Sequence, residues 1–213
     1  MIHTVFLQSG MLVTPTLDLD YSAWHRGRES FALWYIEVKN TELINYLAQL
    51  QQHFADLLYQ PNTRQFHVTL FICGFLTAEM PVYRDDFHIE QMQQQIQKLS
   101  LKRPDKIYLK TGQISSFESA LFVEVIDEKG TLLELRDVFA TCSSEITPLE
   151  YCPHLTLGLY RDEFASDVVF KKINEYEQKS FELEVDQLTF GTYRAQSLQA
   201  KLYPLQQFVL ENR

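Results

Sequence analysis

Cysteine is scarce: Cys73, Cys142 and Cys152 are the three that 213 residues hold, and no two form a Cys-x-x-Cys pair. The odd count and the spacing exclude a disulfide framework and a structural zinc site. No run of about 18 apolar residues occurs, which excludes a membrane-spanning helix. The mildly apolar stretch from Met1 to Val13 lacks a basic start and is broken by Gln8, Ser9 and Gly10. No secretory leader is read there, and a cytoplasmic protein is expected. Basic charge is also in short supply. Lys and Arg number 19 against 28 Asp and Glu, a formal net charge of -9. A protein that grips long nucleic acid through its phosphates carries a basic surface, so a small nucleotide or an RNA terminus is the expected ligand rather than a long duplex. The densest cationic cluster is His25-Arg26-Gly27-Arg28. Its arginines could meet a phosphate, although solvated loop charge is the commoner role of such a cluster. Walker A loops, dinucleotide fingerprints and Gly-x-Ser-x-Gly elbows are absent.

What the chain does have is apolar mass, 46% hydrophobic residues, enough to bury a sizeable core. Residues 31–38, dense in aromatic and β-branched side chains, predict a strand. Asn40 and Thr41 start a helix with Leu43, Leu47, Leu50, Phe54 and Leu57 on one face, closed by Pro61-Asn62. A strand at 66–72 follows, then a Gln-rich helix at about 86–99 burying Met92, Ile96 and Leu99. The order then repeats: a strand at 120–125, a helix at about 131–141, a strand at 153–160 and a helix at about 162–176. Strand-like pieces around 181–190 and 198–210 finish the chain, and 76–84 and 112–119 are read as loops. Residues 32–38 resemble 120–125 with one residue deleted, so the pattern is an internal duplication of a strand-helix-strand unit. The expected protein is a single α+β domain over 1–213, bilobal and pseudo-twofold, with antiparallel sheets lining a central cleft. No Pro-, Gly- or Ser-rich linker parts the halves.

Each half carries the same tetrapeptide pattern, His67-Val68-Thr69-Leu70 and His154-Leu155-Thr156-Leu157. Side chains alternate along a strand, which puts His67, Thr69 and Phe71 on one face and His154, Thr156 and Tyr160 on another. Two such patterns arise by chance at roughly a few per thousand, and their matching places in the duplicated units lower that further. Two imidazoles placed this way can divide acid-base work, one starting neutral and one protonated, and hydroxyls two residues on can donate hydrogen bonds on the same face. The symmetry leaves acid and base unassigned.

With these motifs the sequence resembles the two-histidine (2H) phosphoesterases, which include bacterial 2′-5′ RNA ligase-like proteins and cyclic nucleotide phosphodiesterases. That signature is a pair of His-x-Thr/Ser-x motifs somewhat under a hundred residues apart; here the histidines stand 87 positions apart (154 minus 67). The resemblance runs from about residue 31 to 210 and is weak over the N-terminal 1–30. It implies a bilobal α+β fold, no metal or other cofactor, His67 and His154 as the catalytic pair, and Thr69 and Thr156 as phosphate ligands. It also implies hydrolysis of 2′,3′-cyclic phosphates, or cleavage and joining of 2′-5′ linkages; a monomer is expected. Some relatives carry an arginine five residues after the second histidine, where this chain has Leu159; Arg161, of the same parity in a regular strand, is the stand-in. Phe71, Tyr160, Tyr35 and Phe122 are candidates for stacking a base. Cys152 shares parity with His154 but reads as an ordinary thiol. His3, His25, His53 and His88 have no partner spacing and read as surface residues. A protein that binds nucleotides or RNA ends in the same cleft without turning them over is the competing reading.

Overall fold

A computed structural model describes residues 6–17, 21–146 and 150–212. His3 lies outside them. The first half holds α1 (Ser22–His25), β1 (Ser30–Glu37), α2 (Thr41–His53), β2 (His67–Thr77), β3 (Asp86–His88) and α3 (Ile89–Lys102). The second holds β4 (Ile107–Ser116), β5 (Ala120–Ile126), α4 (Thr131–Ala140), β6 (His154–Leu159) and α5 (Ser166–Asn174), followed by β7 (Glu182–Val185), β8 (Gln187–Arg194) and β9 (Tyr203–Val209). The strands form one sheet in the order β7-β4-β5-β6-β2-β1-β8-β9, antiparallel along this path, with β3 added parallel to β2. Read outward from its middle, β2-β1-β8-β9 mirrors β6-β5-β4-β7. The two expected lobes are thus halves of one continuous sheet, and the α+β, pseudo-twofold architecture is the one the repeat implied.

Local chemistry explains the repeated helices. The Asn40 side chain caps α2 by accepting from the Leu43 amide at 3.0 Å, and Leu43, Leu47 and Leu50 then point inward. In α4 the Asp127 carboxylate accepts from the Leu132 amide at 2.7 Å, and Leu132, Leu135 and Phe139 are buried. These faces pack with Val68, Leu70, Leu155 and Leu157 into one apolar core. Trp34 stacks on Phe139 at 4.9 Å while its indole N–H donates to the buried Gln95. Helices α2–α5 all contribute to this side of the sheet, so the opposite face is left open.

The motif strands are not regular, and this corrects two expectations. Tyr35 pairs with Thr69 but Trp34 pairs with Phe71, so Leu70 is an extra residue in β2. Phe122 pairs with Thr156 but Leu121 pairs with Gly158, so Leu157 is the same extra residue in β6. A β-bulge reverses the alternation beyond it. Phe71 and Tyr160, expected beside the histidines, therefore turn into the core, where both are fully buried. The Tyr160 hydroxyl is spent on Ser116 at 2.6 Å. Conversely, Ile72 and Leu159 come round to the open face.

Three other readings change. Residues 34–38 and 121–125 align with no deletion, since Tyr35 and Phe122 oppose equivalent threonines and the Val38 and Val125 amides both bond to the residue before the motif histidine, at 3.0 Å each. Most of the 112–119 loop is strand β4, hidden in the sequence because an irregularity between Thr111 and Ile114 breaks its alternation. His25 is buried rather than exposed, its Nδ1 accepting from the Gly27 amide, and His88 caps α3.

Candidate active site

Strands β2 and β6 meet through a single residue pair, Val68 opposite Leu155. Continuing that antiparallel register by one residue each way sets His67 opposite Thr156 and Thr69 opposite His154. Since Val68 and Leu155 point into the core, the two imidazoles and two hydroxyls all lie on the open face. The motifs interleave, each histidine beside the other motif's threonine. The sheet's middle is thus a four-cornered polar site built from both halves.

Each imidazole is held the same way. His67 Nδ1 lies 2.8 Å from the Gln65 carbonyl and His154 Nδ1 lies 2.7 Å from the Cys152 carbonyl. A carbonyl can only accept, so Nδ1 carries the proton in both rings and Nε2 is the working atom. Neither Nε2 nor either threonine hydroxyl has a hydrogen-bond partner among the described residues. Aromatic rings fix the ring planes. Tyr35 stands edge-on to His67 at 5.8 Å, and Phe117 and Phe122 flank His154 at 5.2 and 5.1 Å. Tyr35 and Phe122, offered by the sequence as base platforms, are buried beneath the imidazoles and support them instead.

Burial pushes the His67 pKa down from 6.5 to about 4, helped by the nearby charges of Arg64 and His154 and opposed by the Gln65 carbonyl. His154 is lowered by burial as well, offset in part by the Cys152 carbonyl. Arg64, which the sequence reading passed over, lies three residues before the first motif. Its guanidinium sits 4.1 Å over the Tyr193 ring and its Nε donates to the Ala200 carbonyl at 2.9 Å. Proximity of an arginine to the motif was the only sequence signal for it. Arg161 is not brought to the histidines: β6 ends at Leu159, and Arg161 is exposed beside Asp56. The Cys152 thiol is pushed up by burial, Glu124 and Glu150, which disfavours the thiolate and with it a nucleophilic role. Among the described residues no cluster of three or more His, Cys, Asp or Glu is placed to hold a metal.

Beyond Val68 and Leu155 the two strands diverge, and their freed backbone groups are met by side chains from the other half. Arg136 of α4 donates to the Leu70 carbonyl at 2.7 Å and pairs bidentately with Glu145, whose Oε1 accepts from the Ile72 amide at 3.1 Å. Tyr151, 4.0 Å under the Arg136 guanidinium, donates to the Thr69 carbonyl at 3.0 Å. On β6, Gln51 of α2 and Asn62 donate to the Leu157 carbonyl at 2.7 and 3.1 Å, and Gln199 accepts from the Leu159 amide at 3.4 Å. Both bulges are thereby locked, the first by an ionic cluster and the second by amides. None of these residues was legible as functional, because they come from helix faces and irregular segments.

A mixed α+β fold with an interleaved pair of His-x-Thr strands is the architecture of a two-histidine phosphoesterase. The model of the 2′-5′ RNA ligase superfamily matches residues 38–196, and the chain belongs to that superfamily of phosphoesterases and RNA-ligase-like enzymes. Solved structures with the same fold include E. coli LigT in its apo form, at 14% identity and TM-score 0.56, covering 86% of this chain and 99% of that one. TT0787 of Thermus thermophilus superposes with TM-score 0.57 at 12% identity, covering 85% and 98%. A search of curated protein sequences gives no match. No helix among the described residues is long and apolar enough to cross a membrane.

Two outcomes follow from this geometry. The folded-state pKa of His67 lies below 6.5, so the neutral ring favours the fold fully above pH 6.5 and that contribution fades as pH falls towards 4, by on the order of 3 kcal/mol. His67→Gln should therefore lose less stability than the native chain between pH 7 and about 4.5 in urea titrations; parallel losses would count against the burial of a neutral ring. Tyr151→Phe and Arg136→Lys should lower turnover of a cyclic nucleotide about 10- to 100-fold, mainly in kcat, by loosening the first bulge. Unchanged kcat with a lowered melting temperature would reduce the cluster to a purely structural role.

Proposed function

We propose that the chain is a metal-independent phosphoesterase that opens nucleoside or RNA-terminal 2′,3′-cyclic phosphates by His/His acid-base catalysis, and that the same site cleaves or joins 2′-5′ linkages. The observation that carries the reading is the Val68–Leu155 junction, which puts both imidazoles and both threonines around one point on the open face. A phosphate seated there meets a base, an acid and two hydroxyl donors at once. In the step proposed, His67 Nε2 takes a proton from water as the water oxygen bonds to phosphorus. The P–O3′ bond breaks, His154 Nε2 gives its proton to O3′, and a 2′-phosphomonoester leaves. With a 5′-hydroxyl in place of water the step makes a 2′-5′ linkage, and its reverse cleaves one.

The roles follow from the side chains, not from the symmetric backbone. The positive charge of Arg64 near His67 raises the cost of protonating that ring, which suits it to the base. His154, where the Cys152 carbonyl offsets part of the lowering by burial, is left as the acid. Thr69 and Thr156 donate to the non-bridging oxygens. Small nucleotides fit the ligand class seen in relatives of the fold, since E. coli LigT has been crystallised with 3′-AMP and with phosphate. Matched imidazoles with free Nε2 atoms favour catalysis over simple binding, for which one cationic donor would serve.

Alanine replacement of either His67 or His154 should cut turnover of nucleoside 2′,3′-cyclic phosphates or 2′-5′ oligoadenylate by at least about 100-fold. Both imidazoles ionise below their ordinary value in the free protein, so kcat/KM should peak on the acid side of pH 6.5. The optimum of kcat should lie higher, because bound phosphate favours protonated rings. Full activity in both variants, or a flat profile between about pH 5 and 8, would sink the proposal. Nucleotide binding without turnover of any substrate in such a panel would favour the binding-protein alternative.

A further inference from the structure

The cluster His25-Arg26-Gly27-Arg28 has no part in the chemistry above and lies outside the region matched to the superfamily. Its arginines have different fates. Arg28 is committed to the protein: it pairs with Asp85 at 2.8 and 2.9 Å and with Asp86 at 2.5 Å, and lies 3.7 Å over Phe75. These contacts offset one of the two aspartate charges and fasten the turn after α1 to the entrance of β3. The approach is close enough that a side chain on Gly74 would collide with the Asp85 carbonyl. Arg26 is left exposed, 4.4 Å over the Tyr83 ring. Neither Arg26 nor Arg84 has a carboxylate partner among the described residues.

Together they line a recess of about 540 Å³ with Tyr83, Asp85, Glu145 and Ile146. Asp85 pairs with Arg28 and Glu145 with Arg136, and with Asp86 counted the four arginines at the recess outnumber its acids by one. The recess thus offers positive charge in a chain whose net charge is -9. It adjoins the open face of the sheet through Ile146, which packs with Phe31, Phe75 and Ile72. Along β1 the residues Tyr35, Leu33 and Phe31 share that face, Tyr35 beside His67 and Phe31 against Phe75 and Trp24. From Tyr35 to Phe31 is about 13 Å at ordinary strand rise, beyond the reach of a mononucleotide held at the imidazoles. Trp24 and Tyr83 at the far end are each 38% exposed. Exposed rings interleaved with free arginines are how proteins hold single-stranded nucleic acid, by base stacking and phosphate pairing together.

We propose that this recess is a second subsite, which holds the phosphates and a base of single-stranded RNA whose terminus lies between His67 and His154. The inference rests on the phosphoesterase reading and narrows its substrate class to an oligonucleotide end. Its consequence is selective. A cyclic mononucleotide touches only the histidine site, whereas a strand spans both.

The test uses the full chain with Arg26→Gln and Arg84→Gln combined, on adenosine 2′,3′-cyclic phosphate and on a short oligoadenylate ending in the same cyclic phosphate. Turnover of the mononucleotide should be unchanged. For the oligonucleotide, kcat/KM should fall about tenfold or more through KM, and the slope of log(kcat/KM) against log[salt] should shrink by about 1.4 for two lost phosphate contacts. Equal losses on both substrates, or none on either, would overturn the subsite. Should the native chain turn over neither substrate, the phosphoesterase reading fails, and binding of a fluorescent single-stranded oligoadenylate decides the recess alone: weaker binding by the double variant upholds it, and equal binding refutes it.

Discussion

The two halves of this sheet touch through one β-pair, Val68 with Leu155, and everything at the site follows from that narrow contact. A longer seam would pair the motif strands into a flat surface and use up their backbone groups. With one pair, the strands hold four polar side chains together and then separate. The separation leaves carbonyls and amides that must be satisfied. Each half supplies the other's missing partners, Arg136, Glu145 and Tyr151 for β2, and Gln51, Asn62 and Gln199 for β6. The junction, the bulges and their locks are one construction.

Symmetry of backbone and asymmetry of side chain do different work here. The backbone repeats faithfully: the same Nδ1-to-carbonyl bond, the same bulged leucine, an aromatic at the same place under each ring. In the proposed mechanism acid and base must nonetheless differ, because one ring must begin neutral and the other charged. Arg64 beside His67, stacked on Tyr193, and an ionic rather than an amide lock supply the difference. The half-buried Arg136–Glu145 pair fits this view better as a positioning device than as a source of stability, since partly desolvating both charges costs much of what their attraction returns.

Much of the fold was legible because its signals are periodic. The repeated His-x-Thr-Leu, the helix faces of α2 and α4 and the strands flanking them could be read from spacing alone. The bulges could not. Leu70 sits in the unbroken apolar run Leu70-Phe71-Ile72-Cys73, and Leu157 precedes Gly158-Leu159-Tyr160, so neither stretch betrays a skipped beat in the alternation. Regular alternation therefore assigns Phe71 and Tyr160 to the histidine face, whereas the bulges turn them into the core and bring Ile72 and Leu159 to the open side. Strand β4 was lost for the same reason, an irregularity between Thr111 and Ile114. Residues joined only in space, such as Arg136 with Leu70, leave no trace in a single sequence.

In the proposed mechanism both motifs address one phosphorus atom. A crystal structure with bound 2′-AMP tests it most directly. The phosphate should lie within hydrogen-bond distance of Nε2 of both His67 and His154 and of the Thr69 and Thr156 hydroxyls. A phosphate that contacts only one motif, or settles away from the Val68–Leu155 junction, would contradict it.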